Sequence, residues 1–198
     1  MVDQIKDGTG KGYLSKVDSD NRLHSRSVIE SEEIFANRKG NAYNLNTGVI
    51  NMTDANETTI FYMKNNEEND YIITAVVVGV FDSANGDGAD MLSTFIRNPT
   101  TGDIIDNANN VNINSNRNYG SSNTLSADVY KGASGETKVN GNDHILVRIS
   151  ENSRNFININ EILPKGSSLA VNITPPTGND GMNVYVAVIG YLDKTNGI

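Results

Sequence analysis

The chain has 198 residues, no Cys, no Trp, four Pro and a net charge of −8. That length suffices for one β-sandwich or barrel with a real core. The absence of Cys excludes a disulfide framework and any Cys-ligated metal, and the acidic balance lacks the basic footprint that nucleic acid or an anionic membrane surface demands. Asn is the outlier, at 30 residues, several times ordinary usage. Asn bonds its own backbone and tolerates left-handed conformations, so an Asn- and Gly-rich chain with short apolar runs reads as turn-dense β structure. The N-terminus lacks an apolar run of signal-peptide length and no segment could span a bilayer, so synthesis in a cytoplasm is expected. In that compartment Asn51-Met-Thr53, Asn56-Glu-Thr58 and Asn172-Ile-Thr174, which match the glycosylation pattern, carry no meaning.

Residues 1–40 differ from the rest. Asp7-Gly-Thr-Gly-Lys-Gly12 is too Gly-rich for a core element, Tyr13–Val17 predicts one short strand, and Ser31–Arg38 predicts a short helix. Ser31 serves as its cap, Glu32 and Glu33 lie in the first turn, and Gly40 ends it. The segment holds seven basic and seven acidic side chains, which leaves nine basic against seventeen acidic for residues 41–198. It therefore reads as a charge-dense N-terminal anchoring arm on an acidic body.

From residue 41 the pattern is strand, turn, strand. Tyr43–Asn46 and Gly48–Met52 flank a hairpin-like Asn46-Thr-Gly48. Thr59–Lys64 alternates as a half-buried strand. Tyr71–Phe81 is β-branched and nearly continuous, which predicts burial on both faces. Met91–Arg97, Ile104-Ile105, Val111–Ile113, Leu125–Lys131, His144–Ser150, Phe156–Ile159, Ser168–Thr174 and Val184–Leu192 complete nine to eleven strands. Spacing and turn density predict an all-β fold, a jelly-roll-like β-sandwich over residues 41–198. Tyr62, Phe81, Phe95 and Phe156 fall inside strand runs and are expected in the core. Tyr119 sits in a loop and is expected to be exposed.

The candidates for chemistry are few. His24 lies in the charged arm and His144 starts a strand. Neither has a nucleophile at motif spacing, and Gly-x-Ser-x-Gly is absent. Asp82-Ser-Ala-Asn-Gly-Asp-Gly-Ala-Asp90 offers hard oxygens from Asp82, Asn85, Asp87 and Asp90. It fails the calcium-loop pattern, because Ala84 holds the third position and Ser93 the twelfth. Gly8, Gly10 and Gly12 lack the Gly-Lys-Ser/Thr ending of a phosphate loop, and nothing selects two carboxylates for glycoside hydrolysis. The expectation is no catalytic, cofactor-binding or metal-ligating residues, no cofactor, and no enzymatic activity.

Several stretches carry a resemblance. Asp18-Ser-Asp-Asn-Arg-Leu-His24, Asn41-Ala-Tyr-Asn-Leu-Asn-Thr-Gly48 and Asn56-Glu-Thr-Thr-Ile-Phe-Tyr-Met-Lys-Asn65 resemble segments of tailed-bacteriophage virion structural proteins. So do Arg97-Asn-Pro-Thr100, Asn118-Tyr-Gly-Ser-Ser122 with Tyr130-Lys-Gly132, and Leu163-Pro-Lys-Gly-Ser-Ser168. The resemblance spans nearly the whole chain through the order of these motifs. It implies a β-rich particle protein with an N-terminal arm and carries over no catalytic residues. The expected function is therefore that of a virion component, a head decoration or cement protein that binds the capsid surface. Its expected partners are other virion proteins, the major capsid protein among them, and further copies of itself as a homo-oligomer, with a trimer the first choice. Neither nucleic acid nor membrane is an expected partner. Two alternatives stand beside it, a tail, collar or fibre component that binds a host surface glycan, and an enzyme such as a tail-associated glycan hydrolase.

Overall fold

The elements run in the order β1 (Ile5–Lys6), β2 (Leu14–Val17), β3 (Leu23–His24), α1 (Glu32–Arg38), β4 (Ala42–Asn46), β5 (Ile50–Met52), β6 (Thr58–Asn65), β7 (Tyr71–Phe81) and β8 (Met91–Arg97). Then come α2 (Asp103–Asp106), β9 (Asn109–Asn110), β10 (Ala127–Lys131), β11 (Asn142–Ile149), β12 (Arg154–Leu163), β13 (Ser168–Thr174) and β14 (Met182–Leu192). This computed structural model describes residues 30–81, 90–106, 109–150, 152–176 and 181–194, and the backbone of the three strands nearer the N-terminus.

The chain divides into two units, Met1–Ser31 and Glu32–Ile198. In the first, β2 pairs antiparallel with β1 (Ile5 opposite Ser15) and with β3 (Lys16 opposite His24). The second is an all-β sandwich of two antiparallel sheets. One has the order β11-β8-β13-β6-β10-β9 and the other β12-β7-β14-β4, with β5 also on β14. The pairs β6·β13, β7·β12 and β8·β11 are nested. Nested pairing of this kind is the folded ribbon from which a jelly roll is wound. The sheets nevertheless hold six and five strands, and β14 lies beside β7 on the side away from β12. The strand order is that of a sandwich with a jelly-roll-like ribbon, short of a full jelly roll.

The core lies between the sheets. Val76, Val78 and Val80 of β7 alternate inward with Val184, Val186 and Val188 of β14, against Phe61, Met63, Phe95, Val171 and Ile173 of the facing sheet. The other faces are also partly covered. Outside the six-stranded sheet, Tyr62, Ile96 and Ala170 pack on Ile104 and Val139. Outside the five-stranded sheet, Ala36 of α1 packs on Ala42 and Tyr191. β7, predicted to be buried on both faces, is buried almost along its length, with Val76, Val78 and Val80 against the facing sheet.

Several expectations are corrected. Ile104-Ile105 is helical, as part of α2, because Gly102 at φ +139 turns the chain and Ile104 needs only one face to reach the outer cluster. Val111–Ile113 forms no strand; the short β9 precedes it. The hairpin at Asn46-Thr-Gly48 does not form. Both β4 and β5 pair with β14, so Thr47–Val49 interrupts a single edge strand. There the Thr47 N–H donates to Val186 O at 3.0 Å, and the Val186 N–H donates to Thr47 Oγ1 at 3.0 Å. Phe81 and Phe156 are not core residues. They point out from the five-stranded sheet at 37% and 58% exposure, since period-2 alternation does not say which face of a strand is covered.

Helix α1 belongs to the sandwich rather than to the arm, so the compositional break at Gly40 falls after an element that packs on the body. Its C-terminus closes with Gly40 at φ +72, the Gly40 N–H donating to Asn37 O and the Asn41 N–H to Ala36 O, a paired arrangement that favours Gly. A Cβ at Gly40 would also meet the Ser121 side chain. Asn116, Asn118 and Asn123, from a loop about eighty residues on, donate side-chain amides to the carbonyls of Gly40, Arg38 and Lys39. The Arg38 and Lys39 carbonyls are among those that a helix end leaves unpaired.

Candidate functional site

The residues singled out for chemistry do not converge. The side chain of His24 and residues 82–89 of the acidic loop lie outside the described residues, as do Gly8, Gly10 and Gly12. Asp90, the described end of that loop, pairs with Arg148 Nε at 3.4 Å. Among the described residues no group of three or more His, Asp or Glu side chains is placed to hold a metal ion. Tyr119 is fully exposed, as its loop position predicted. His144 lies near the start of the edge strand β11, and its Nε2 is 2.9 Å from Oε1 of Glu161 on β12, an edge strand of the other sheet. Together with Asn155 Nδ2, which donates to Arg148 O at 3.0 Å, this contact ties the two sheets along one open side.

A concave site lies where β6, β8 and the β12–β13 turn end together. One cavity, of about 530 Å³, is lined by Lys64, Asn98, Pro99, Thr100, Lys165 and Ser167 among others. A second, of about 280 Å³, is lined by Arg97, His144, Glu161 and Pro164, and shares Asn98, Ser167 and Ser168 with the first. The segments meet for local reasons. Gly166 at φ +79 makes the turn, and its N–H donates to Asn65 O at 2.7 Å. The Asn65 N–H donates back to Ser167 O at 3.0 Å, and its side-chain amide donates to Leu163 O at 2.8 Å. Asn98 is held in the left-handed region at φ 47 by Ser168 from two sides. Its N–H donates to Ser168 O at 2.9 Å, and its Oδ1 accepts from the Ser168 N–H at 2.8 Å. Asn is the residue type besides Gly that best tolerates that conformation.

The electrostatics of this site oppose those of the body. Lys64, Arg97 and Lys165 line it, against Glu161 as its one lining carboxylate, whereas the body as a whole is acidic. Lys165 reaches Glu68 at the rim. Tyr62 forms part of the wall, its ring stacked on Tyr130 with centroids 5.8 Å apart. Burial pushes its hydroxyl above the ordinary tyrosine range, partly offset by a hydrogen bond with Ser168. Reading the residues for chemistry missed this site because none of its side chains forms a local motif. The available signal was indirect: Asn56–Asn65, Arg97–Thr100 and Leu163–Ser168, three of the segments quoted for the resemblance, supply most of its lining.

No family model matches the chain, and no curated protein matches it. Among solved structures it aligns with an alpha-amino acid ester hydrolase at 11% identity and a TM-score of 0.14. That alignment covers 73% of this chain and 25% of the hydrolase, so the chain spans about a quarter of that protein's length. A likeness this slight carries neither fold nor function across.

Proposed function

We propose that this chain is a non-enzymatic structural subunit of a tailed-phage particle, a sandwich body with an N-terminal segment that decorates the head by packing against other virion proteins. The observation that carries the reading is the outer face of the five-stranded sheet. Phe156 and Ile162 of β12 are 58% and 57% exposed there, and Phe81 stands beside Tyr185 with ring centroids 6.3 Å apart. Large side chains held out from an acidic, polar body support a packing role for this face. Removing them from water favours association by about 25 cal/mol per Å² of apolar area. The ordered resemblance to virion proteins supplies the kind of partner, and β12, the edge strand of its sheet, carries the same residues.

Particles assembled without the subunit and then supplied with purified protein provide the test. Wild type is expected to bind at saturable occupancy, and the double variant Phe156→Asp, Ile162→Asp to bind at least tenfold more weakly with an unchanged melting temperature. Equal occupancy of both proteins, or no binding of wild type to any particle surface, overturns the reading.

A further inference from the structure

The cleft around Asn98 meets that packing surface only at Ile162, on the wall of the smaller cavity, and it has the chemistry of a binding site. We propose that it binds an acidic saccharide, a sugar whose rings carry carboxylate or phosphate groups. This inference stands independently of the particle reading.

Charge distribution points to an anion. Residues 41–198 carry nine Lys and Arg against seventeen Asp and Glu. Three of those nine cations, Lys64, Arg97 and Lys165, line the two joined cavities with Glu161 as the one lining carboxylate, while Glu68 at the rim pairs with Lys165 and Glu161 with His144. A chance sample of this acidic surface would show the reverse ratio. Concentrated cations in a concave site focus potential on an incoming anion, even when the net charge of the protein is negative.

The remaining lining points to hydroxyl-bearing rings. Asn98 and Ser167 bring an amide and a hydroxyl to the lining, Thr100 brings a hydroxyl held by the Asn140 side-chain amide at 3.0 Å, and Pro99 and Ile105 supply small apolar patches. A sugar ring offers the matching surface, with polar edges and short apolar faces. A nucleobase would need an open aromatic face, but the Tyr62 ring is buried and already stacked on Tyr130. The larger cavity, at about 530 Å³, falls within the ~300–1,000 Å³ of small-ligand sites. The smaller one, reached across Asn98 and Ser167, would take a second ring with its charge toward Arg97. The backbone around the cleft is fixed before any ligand arrives. Asn98 is locked to Ser168, Asn65 is locked to the turn, and Asn140 Oδ1 accepts from the N–H groups of Thr100 and Thr101 at 2.8 and 2.9 Å. A preorganised site loses less entropy on binding.

The experiment uses the full chain, titrated by calorimetry and by backbone amide NMR with a uronate oligosaccharide, a phosphorylated sugar, a neutral oligosaccharide of equal length, and inorganic phosphate. At least one acidic sugar is expected to shift the amides of Asn98, Thr100 and Ser167 and to bind at least tenfold tighter than the neutral sugar and than inorganic phosphate. Lys64→Gln and Lys165→Gln should each weaken it about tenfold without moving the melting temperature, and Lys131→Gln, away from the cleft lining, should not. Equal affinity for the neutral sugar, equal affinity for bare phosphate, shifts confined to other surfaces, or no binding of either acidic sugar at millimolar concentration would each overturn the proposal.

Discussion

The Thr59 hydroxyl donates to Oδ1 of Asn172 at 2.6 Å, inside the six-stranded sheet where β13 slips past β6 at a bulge. The Val139 N–H donates to the same Thr59 oxygen at 2.9 Å, and Asn172 Nδ2 donates to Glu57 Oε1 at 2.9 Å. This chain of bonds ties residues 132–140, which help cover the outer face of the sheet, to the strands beneath. Asn172→Leu removes the acceptor for Thr59 and a donor to Glu57, and Thr59→Val leaves Asn172 Oδ1 and the Val139 N–H unpaired. Each change is expected to cost about 1–3 kcal/mol. The double variant should cost less than the sum, because the two side chains belong to one network. Urea denaturation midpoints check this, and unchanged midpoints would remove the network from the list of stabilising features.

Tyr71 is fully buried, and its hydroxyl has no hydrogen-bond partner among the described residues. Tyr71→Phe is therefore expected to leave stability unchanged or raise it by up to ~1 kcal/mol, since no bond is lost and a buried polar atom is removed. A drop of 2 kcal/mol or more, on the scale of about 1–3 kcal/mol for a broken buried bond, would show that the hydroxyl is satisfied after all.

The same burial sets the response to alkali. Desolvation raises the phenol pKa of Tyr71 and of Tyr43, Tyr62 and Tyr191 above the ordinary value of 10.0. The folded state thus keeps protons that the unfolded chain gives up. Their contribution is fully present below pH 10 and is lost as pH rises beyond it. Tyrosinate absorbance should appear together with cooperative unfolding, and Tyr71→Phe should move the alkaline midpoint upward. Gradual tyrosinate absorbance with the fold intact would contradict this.

Substitutions on the two sides of the sheets should separate sharply. Phe95→Asp places a carboxylate in the inner core and is expected to abolish folding. Phe156→Asp, on the outer face, should leave the melting temperature within a few degrees. Val77 faces outward opposite Phe156 and Ala187, whereas Val78 faces the core. Val77→Asp should therefore be milder than Val78→Asp. Circular dichroism melts of the four variants test the assignment, and equal loss for Phe95 and Phe156 would refute it.

Truncation locates the start of the sandwich. Deleting residues 1–31 is expected to leave its melting transition intact. Deleting residues 1–40 also removes α1, which uncovers Ala42 and Tyr191 and breaks the Glu33–Arg117 ion pair and the Tyr191–Glu32 hydrogen bond. That second cut should lower the transition by several degrees, at about 2–4 °C per kcal/mol for a domain of this size. Identical melts for the two truncations would return the boundary to Gly40.

The sequence by itself determined the class of fold, because period-2 alternation, β-branched runs and dense Asn and Gly are local properties. Thr59–Lys64, Tyr71–Phe81, Met91–Arg97 and Ser168–Thr174 were legible as strands for that reason, although the first is buried nearly throughout rather than half-buried. It also determined how α1 ends, since Gly40 acts within one turn. Only the tertiary structure decided which face of each strand is covered. Phe95 and Phe156 carry the same signal in sequence, but one meets the opposing sheet and the other meets solvent. Long-range pairing likewise settled the fate of Asn46-Thr-Gly48, because both flanking segments pair with β14 rather than with each other. The cleft at Asn98 was the least legible feature. It is built from the ends of elements brought together by nested pairing of residues 75 to 115 positions apart, and no local pattern encodes such proximity.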